Sequence, residues 1–205
     1  MKNNSRIRTA STALTNAVST RTSRTQHTAL AVGSIAALGL ANSILNSSYE
    51  ASGHPVSYAE GQLAFNGETI KGYYAHMTNL GTLDTYVTTQ LIDFGFIAAM
   101  VAIGVFLATR MARTLKGSRL AGLVSFAAIL FVIGAGFDTI ENLISFVMLA
   151  NPESFADIIA LPYSTAAALK FAAIVPAVCI TAAALIVAAA RQLRNLVLNR
   201  KSLAL

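Results

Sequence analysis

The chain has 205 residues, of which 55% are hydrophobic and only 12% charged, with a net charge of +6 and a mean hydropathy of +0.59. Soluble globular domains carry roughly 25% charged residues, so this composition excludes an ordinary water-soluble domain. The single cysteine, Cys179, excludes a disulfide or a cysteine-based metal site within the chain. Together these values favour an integral membrane protein.

The first 27 residues form a basic segment without an acidic residue. We favour a disordered cytoplasmic tail here. An amphipathic helix on the membrane surface is an alternative, because hydrophobic residues recur near a 3.6-residue period. They are Ile7, Ala10, Leu14, Ala17 and Val18. An organellar transit peptide and a secretory signal, cleaved near Gly39-Leu40-Ala41, are two further alternatives.

Four apolar segments follow, at about residues 28–45, 87–109, 120–150 and 166–190. At 1.5 Å rise per residue, a helix of this length crosses a hydrocarbon core of roughly 30 Å. Helices also satisfy their own backbone hydrogen bonds, as a segment in lipid must. We therefore predict an all-α membrane protein, in which residues 28–205 form an antiparallel four-helix transmembrane bundle.

The loop between the first and second spans, residues 46–86, is the one sizeable soluble segment. Residues 62–65 and 68–71 flank Asn66-Gly67, and Asn-Gly supplies the two positive-φ positions of a type I′ turn. This pattern predicts a β-hairpin. Residues 73–83 have the spacing of a short amphipathic helix. We expect both to form a small extracytoplasmic cap.

Thirteen of the fifteen basic residues lie before the first span, between the second and third, or after the fourth. They are Lys2, Arg6, Arg8, Arg21, Arg24, Arg110, Arg113, Lys116, Arg119, Arg191, Arg194, Arg200 and Lys201. Because cationic flanks stay in the cytoplasm, both termini are predicted to be cytoplasmic, in a bacterial inner membrane. Since these charges flank spans, we expect the lipid bilayer as their partner and no nucleic acid.

Six polar residues at membrane depth form the candidate ligand-binding site, which we call the polar layer. They are Gln90, Asp93, Asp138, Glu141, Asn142 and Lys170. The four ionisable members lie 17 to 22 residues from the basic flank of their own span. That spacing corresponds to about 26–33 Å of helix, so three spans place their charges near the outer edge of the hydrocarbon.

An ionised side chain at lipid depth costs at least about 2.5 kcal/mol, so these residues should face the bundle interior or water. Three carboxyls cannot all be ionised and paired with one lysine. The surplus predicts a pocket that binds a cation, a proton, a small polar ligand or a lipid headgroup. We expect Lys170 to pair with Asp93 or Glu141, and Asp138 to be satisfied by Asn142 on its own helix face.

Two other interpretations stay open. The protein could be a structural or accessory subunit beside a membrane-protein partner, in which the polar layer only fixes helix packing. It could also be a membrane-embedded enzyme that uses Asp138 and Glu141 as acid and base. We favour the enzyme least, because the predicted spans contain no histidine, although the loop residues His54 and His76 could approach the polar layer. We expect no cofactor and no metal.

Two stretches carry a resemblance. One runs from Leu80-Gly81 to Phe94 at the start of the second span, and the other is the Phe-Asp-Thr-Ile-Glu-Asn-Leu of residues 137–143. Asn151-Pro152 and the Ala-Leu-Lys-Phe of residues 168–171 follow it. The C-terminal two-thirds of the chain thus resembles small bacterial four-helix integral membrane proteins with an Asp-x-x-Glu-Asn motif in the third span. The resemblance implies the fold and no activity.

Overall fold

The structure, a computed structural model, describes residues 2–202, and helix is the dominant state along this part of the chain. Four of its helical segments are long and apolar enough to cross a membrane. They are Arg24–Ala51, Leu83–Thr114, Arg119–Leu149 and Asp157–Leu196. The predicted all-α architecture with four long apolar helices is confirmed, and it is compatible with a multi-pass membrane protein.

The described residues form eight α-helices. They are α1 (Lys2–Arg21), α2 (Arg24–Ala51), α3 (Tyr58–Gln62), α4 (Gly67–Leu80), α5 (Leu83–Ala102), α6 (Thr109–Thr114), α7 (Arg119–Leu149) and α8 (Ala160–Ser202). A π-helical turn, Ile103–Ala108, joins α5 to α6, and a 3-10 turn, Asp157–Ile159, precedes α8. Residues 52–82, with α3 and α4, form the cap. We call this end of the bundle the capped end and the opposite end the basic end.

Residues 2–21 form helix α1, where we favoured a disordered tail. This helix packs against α6 and α7, and the hydroxyls of Thr15 and Ser125 lie 3.4 Å apart. A capping box then starts α2: Ser23 Oγ accepts from the Gln26 amide, and Gln26 Oε1 accepts from the Ser23 amide. The first span therefore begins at Arg24, four residues before the predicted boundary.

The predicted β-hairpin in the cap is wrong, because the described part of the cap holds two helices and no strand. Asn66 has an extended backbone, with φ −137° and ψ 122°, and its side chain accepts a hydrogen bond of 2.9 Å from the Thr69 amide. Asn66 is thus the N-cap of α4, which is the other common role of asparagine. A Cβ on Gly67 would lie 2.6 Å from Asp157 Cα, so glycine permits the close approach of α4 to the 3-10 turn.

Three kinds of contact hold the cap on the bundle. Apolar side chains of α4 pack on α5, α7 and α8 in one cluster, formed by Ile70, Tyr74, Met77, Tyr86, Met148, Phe155, Ala160 and Tyr163. Lys71 Nζ bridges Asp157, at 2.7 Å, and Glu68, at 3.0 Å, and these hydrogen bonds raise the pKa of Lys71. The amide of Phe65 donates to Ser164 Oγ at 3.0 Å. The cap therefore covers the ends of three spans.

Small residues bring the spans together. A Cβ on Gly134 of α7 would lie 2.5 Å from Ile174 Cγ1 of α8, so the two helices approach closely at this point. In the same way, a Cβ on Gly104 would meet Phe131 Cβ at 2.7 Å. Apolar side chains from α2, α5, α7 and α8 form the core of the bundle. Helix α2 packs beside α5.

Candidate polar site at the capped end

Lys170 of α8 lies at the centre of the polar layer and is 4% exposed. Its ammonium donates to Asp138 Oδ1 at 2.8 Å, to Glu141 Oε2, and to Gln62 Oε1 at 3.0 Å. These three acceptors use all three N–H groups of the lysine. The predicted pairing of Lys170 with Glu141 is confirmed, whereas the expectation that Asn142 satisfies Asp138 is wrong, because Asp138 binds Lys170.

Asp93 and Asn142 form a second hydrogen-bonded pair. Asn142 Nδ2 of α7 donates to Asp93 Oδ2 of α5 at 2.8 Å, and both residues are buried. Asn142 does not satisfy Asp138, one turn earlier on the same helix. Side chains four residues apart project in parallel from a helix, so each can reach across to a neighbouring helix instead. Asp93 is consequently not among the hydrogen-bond partners of Lys170.

Several buried polar atoms in and beside the polar layer have no hydrogen-bond partner among the described residues. They are Gln62 Nε2, Gln90 Nε2, Gln90 Oε1, Glu141 Oε1 and Asn142 Oδ1. Most buried polar groups in folded proteins are hydrogen-bonded, so such a concentration is unusual. Gln90 is fully buried and both of its amide atoms are unpaired. The layer therefore has unused hydrogen-bonding capacity.

The cap contributes two residues to the site that we did not predict, Tyr58 and Gln62. Gln62 is 2% exposed and binds Lys170, while the Tyr58 ring centroid lies 5.9 Å from the Lys170 Nζ. Burial, reinforced by the nearby carboxyls, raises the pKa of Tyr58 well above its usual value, so its hydroxyl remains a donor. The sequence does carry a signal for this helix. Ser57 and Glu60 have the spacing of a capping box, and Ser57 caps α3.

His54 lies in the cap among tyrosines. Its ring centroid is 5.1 Å from that of Tyr49, 5.0 Å from Tyr73 and 5.3 Å from Tyr86. Burial lowers the pKa of His54 to about 4, so the ring is neutral at neutral pH. His54 therefore packs as an aromatic ring, and its described hydrogen bonds involve the backbone of Val56. His76 is exposed on α4.

One histidine does lie in a span, contrary to our expectation. Because α2 begins at Arg24, the span includes His27, which is fully buried at the basic end. Its Nδ1 faces Arg113 Nη1 at 2.8 Å, and its Nε2 faces Phe106 O at 3.1 Å and Thr109 Oγ1 at 3.0 Å. An arginine can only donate, so Nδ1 accepts and Nε2 carries the proton. His27 is thus neutral and lies at the end opposite the polar layer.

The fold and the polar layer define a class: an all-helical protein with four membrane-length apolar helices and a buried, mixed-charge layer beneath a helical cap. No family model, curated protein or solved structure matches the chain. The functional argument therefore depends on the chemistry of the layer itself.

Proposed function

We propose that the protein is an integral membrane protein that binds protons in the polar layer, and that the cap responds to their binding. One observation carries the proposal: three buried carboxyls lie in a layer that holds only one buried ammonium. Asp93 is 1% exposed, Asp138 is 2% exposed and Glu141 is fully buried. With all three ionised, the layer would carry two uncompensated negative charges.

Two further positive charges are needed, because an unpaired ionised carboxyl in a dry site is strongly unfavourable. Protons suit the observed geometry better than one bound cation does. Lys170 holds Asp138 and Glu141, and Asn142 holds Asp93, so the carboxyls are divided between two separate hydrogen-bonded groups. A metal cation would require their oxygens to converge on one point.

Asp93 is the first proton carrier in this proposal. Its partner, the amide of Asn142, is neutral and cannot compensate a charge, whereas Asp138 and Glu141 both contact the Lys170 ammonium. Glu141 is the second carrier, since its Oε1 is buried without a hydrogen-bond partner in the described structure. The resting layer is then close to neutral.

The cap enters the proposal through Gln62. Its Oε1 and the two carboxyls of α7 bind the same ammonium. A proton on Glu141 therefore weakens the ion pair between Glu141 and Lys170, and this alters the hydrogen bond from Lys170 to Gln62 of α3. Proton occupancy would thereby change how firmly the cap is held. This coupling makes the protein pH-responsive from the capped end.

We further propose that the capped end faces the outside and the basic end the cytoplasm of a bacterial inner membrane. The support is the charge distribution. Thirteen basic residues lie at the basic end of the spans or in α1. All nine acidic residues lie in the polar layer, in the cap, at the capped ends of the spans or in the loop between α7 and α8. The positive-inside rule favours this orientation.

A second candidate is the binding of a small polar ligand, and the unpaired atoms favour it. The amide nitrogens of Gln62 and Gln90 are donors, whereas Glu141 Oε1 and Asn142 Oδ1 are acceptors. A mixed set of donors and acceptors fits a neutral polar molecule. In this case a ligand, rather than protons alone, would stabilise the layer.

Infrared difference spectroscopy of the purified full chain tests the proposal, because protonated and ionised carboxyls absorb at different frequencies. We expect protonated carboxyl absorption at about pH 7, where an ordinary carboxyl is ionised. Asp93→Asn should remove part of this signal. Asp84→Asn is the matched control, because Asp84 is an exposed carboxyl of the same helix, and it should leave the signal unchanged.

Absence of protonated carboxyl absorption in the wild type contradicts proton binding. A stability screen with small polar compounds then separates the remaining interpretations. A compound that stabilises the wild type but not Gln90→Ala supports the ligand site. If no compound has an effect, the polar layer is a structural network.

A further inference from the structure

We propose that a second site, at the basic end, binds the phosphate group of an anionic lipid. The site is a cleft of about 660 Å³ between α1, the start of α2 and α6. We call it the basic cleft, and its polar lining is Thr15, Asn16, Arg24, Arg110, Arg113, Thr114 and Lys116. The inference is independent of the proton site, which lies at the other end of the spans.

The positive charges of the basic cleft have no acidic counterpart. Residues 1–49, 94–137 and 171–205 contain no aspartate or glutamate at all. Four cationic side chains nevertheless share one cleft, and the partners described for them are neutral. Arg110 donates to Thr28 Oγ1 at 3.0 Å and to Thr114 Oγ1 at 2.5 Å. Such a group of like charges is stabilised when an anion binds among them.

His27 provides a rigid support for one of these cations. The buried ring is fixed by the carbonyl of Phe106, which belongs to the π-helical turn, and its Nδ1 accepts from Arg113 Nη1. Because His27 is neutral, this contact orients the guanidinium without compensating its charge. Arginine has five N–H donors, and the described bond uses only one nitrogen, so Arg113 retains donors for a phosphate.

The depth of the basic cleft favours a membrane lipid over a soluble anion. Arg110 lies 17 residues from Asp93 on the same span, which is about 26 Å of helix. The cleft therefore lies at headgroup level on the side opposite the polar layer. Leu30 and Val32, which follow Arg24 by six and eight residues on α2, are 41% and 61% exposed, so this apolar part of the helix offers a surface to acyl chains. Basic pockets between spans are a known setting for anionic headgroups.

Native mass spectrometry of the full chain in neutral detergent can measure this binding. Phosphatidylglycerol and phosphatidylcholine with identical acyl chains are titrated in parallel. We expect phosphatidylglycerol to bind at least about tenfold more tightly, because only it carries a net negative charge. Equal affinity for the two lipids would overturn the proposal.

A double variant, Arg110→Gln with Lys116→Gln, should weaken phosphatidylglycerol binding at least about tenfold. The matched control is Arg119→Gln with Arg194→Gln, which removes the same charge at the same end from two exposed residues outside the basic cleft. The control should change binding less than about twofold. Equal losses would show a diffuse electrostatic attraction and overturn the site.

Two further arms address folding and the source of the phosphate. Arg110→Lys keeps the charge and should retain most of the binding, so a folding defect is distinguished from a lost contact. Inorganic phosphate is then titrated at constant ionic strength. Saturable binding of inorganic phosphate that phosphatidylglycerol does not displace would reject the lipid and assign the basic cleft to a free phosphate group.

Discussion

Lys170 is the residue on which the described polar layer depends most, because its ammonium contacts two carboxyls and the cap. We predict that Lys170→Met lowers the free energy of unfolding by about 3–5 kcal/mol, because Asp138, the ionised carboxyl of the proposed resting layer, then loses its counter-charge in a dry site. Thermal or chemical unfolding in detergent measures the change. A wet layer would instead give a loss of about 1 kcal/mol or less.

Double variants identify the true partners of Lys170. Adding Asp138→Asn to Lys170→Met should recover part of the lost stability, because Asp138 is the ionised carboxyl beside the ammonium and an amide needs no counter-charge. Adding Asp93→Asn should recover less, because Asp93 pairs with Asn142 rather than with the ammonium. Better recovery with Asp93→Asn would contradict the described hydrogen bonds.

His54 gives the cap a predicted pH dependence. Burial lowers the pKa of the folded His54 to about 4, whereas an unfolded histidine has a pKa near about 6.5. Between these values the unfolded chain binds more protons, so the free energy of unfolding rises with pH. The contribution is complete above about pH 6.5 and is lost as the pH falls to about 4. With solvent screening of this partly exposed ring, it should be on the order of 1–2 kcal/mol.

The variant His54→Phe isolates this effect, because phenylalanine keeps a ring among Tyr49, Tyr73 and Tyr86 but cannot titrate. Unfolding of the wild type and the variant is measured across the same pH range, and the difference removes the carboxyls common to both. An unchanged pH slope in the variant would show that His54 is solvated.

At the scale of the elements, the close contact between α7 and α8 at Gly134 provides a test of the described helix packing. An alanine Cβ there would lie 2.5 Å from Ile174 Cγ1, so we predict that Gly134→Ala lowers the free energy of unfolding by about 1–3 kcal/mol. Gly136 is the matched control on the same helix. A Cβ at Gly136 meets nothing within 4 Å, so Gly136→Ala should be neutral or stabilise by up to about 1 kcal/mol. Equal effects in detergent unfolding would contradict the described packing.

The spans could be predicted from the sequence because hydrophobic length is a property of each segment alone. The cap could not, because Asn66-Gly67 is compatible with two local structures. The predicted type I′ turn requires two paired strands. Asn66 instead caps helix α4, and the first residue of this helix contacts Asp157, 90 positions away in the chain. The capping-box spacing of Ser57 and Glu60 is the local signal for a helix in this segment.

The polar layer was predictable in depth and composition but only partly in pairing, because Lys170 binds Glu141 as predicted but also binds Asp138. Counting residues from the basic flanks places Lys170, Asp138 and Glu141 at similar depth. In the structure the Lys170 ammonium contacts both carboxyls. Whether Asn142 serves its own helix or α5 depends on how the helices are rotated, which periodicity does not specify. Gln62 and Tyr58 come from the cap, so an error in the cap fold concealed both of them.

At the scale of the whole molecule, the two ends of the bundle have opposite chemistry. The capped end holds the acidic residues and the polar layer, whereas the basic end has uncompensated arginines and lysines. Proton binding and phosphate binding, as proposed, therefore occur at opposite ends of the same helices. Both assignments depend on the orientation of the chain in the membrane, which the charge pattern predicts and labelling can test.

Single cysteines at the two ends test this orientation. Cys179 is exposed, so it is first replaced by alanine. Asn79 on α4 and Asn195 on α8 are then changed separately to cysteine, because both are exposed polar residues, one at each end. By the positive-inside rule, Asn79→Cys should react with a membrane-impermeant maleimide in intact cells. Asn195→Cys should react only after the membrane is permeabilised. Reaction of both from outside would contradict the four-span arrangement, and the reverse pattern would place the basic cleft, rather than the polar layer, on the outer side.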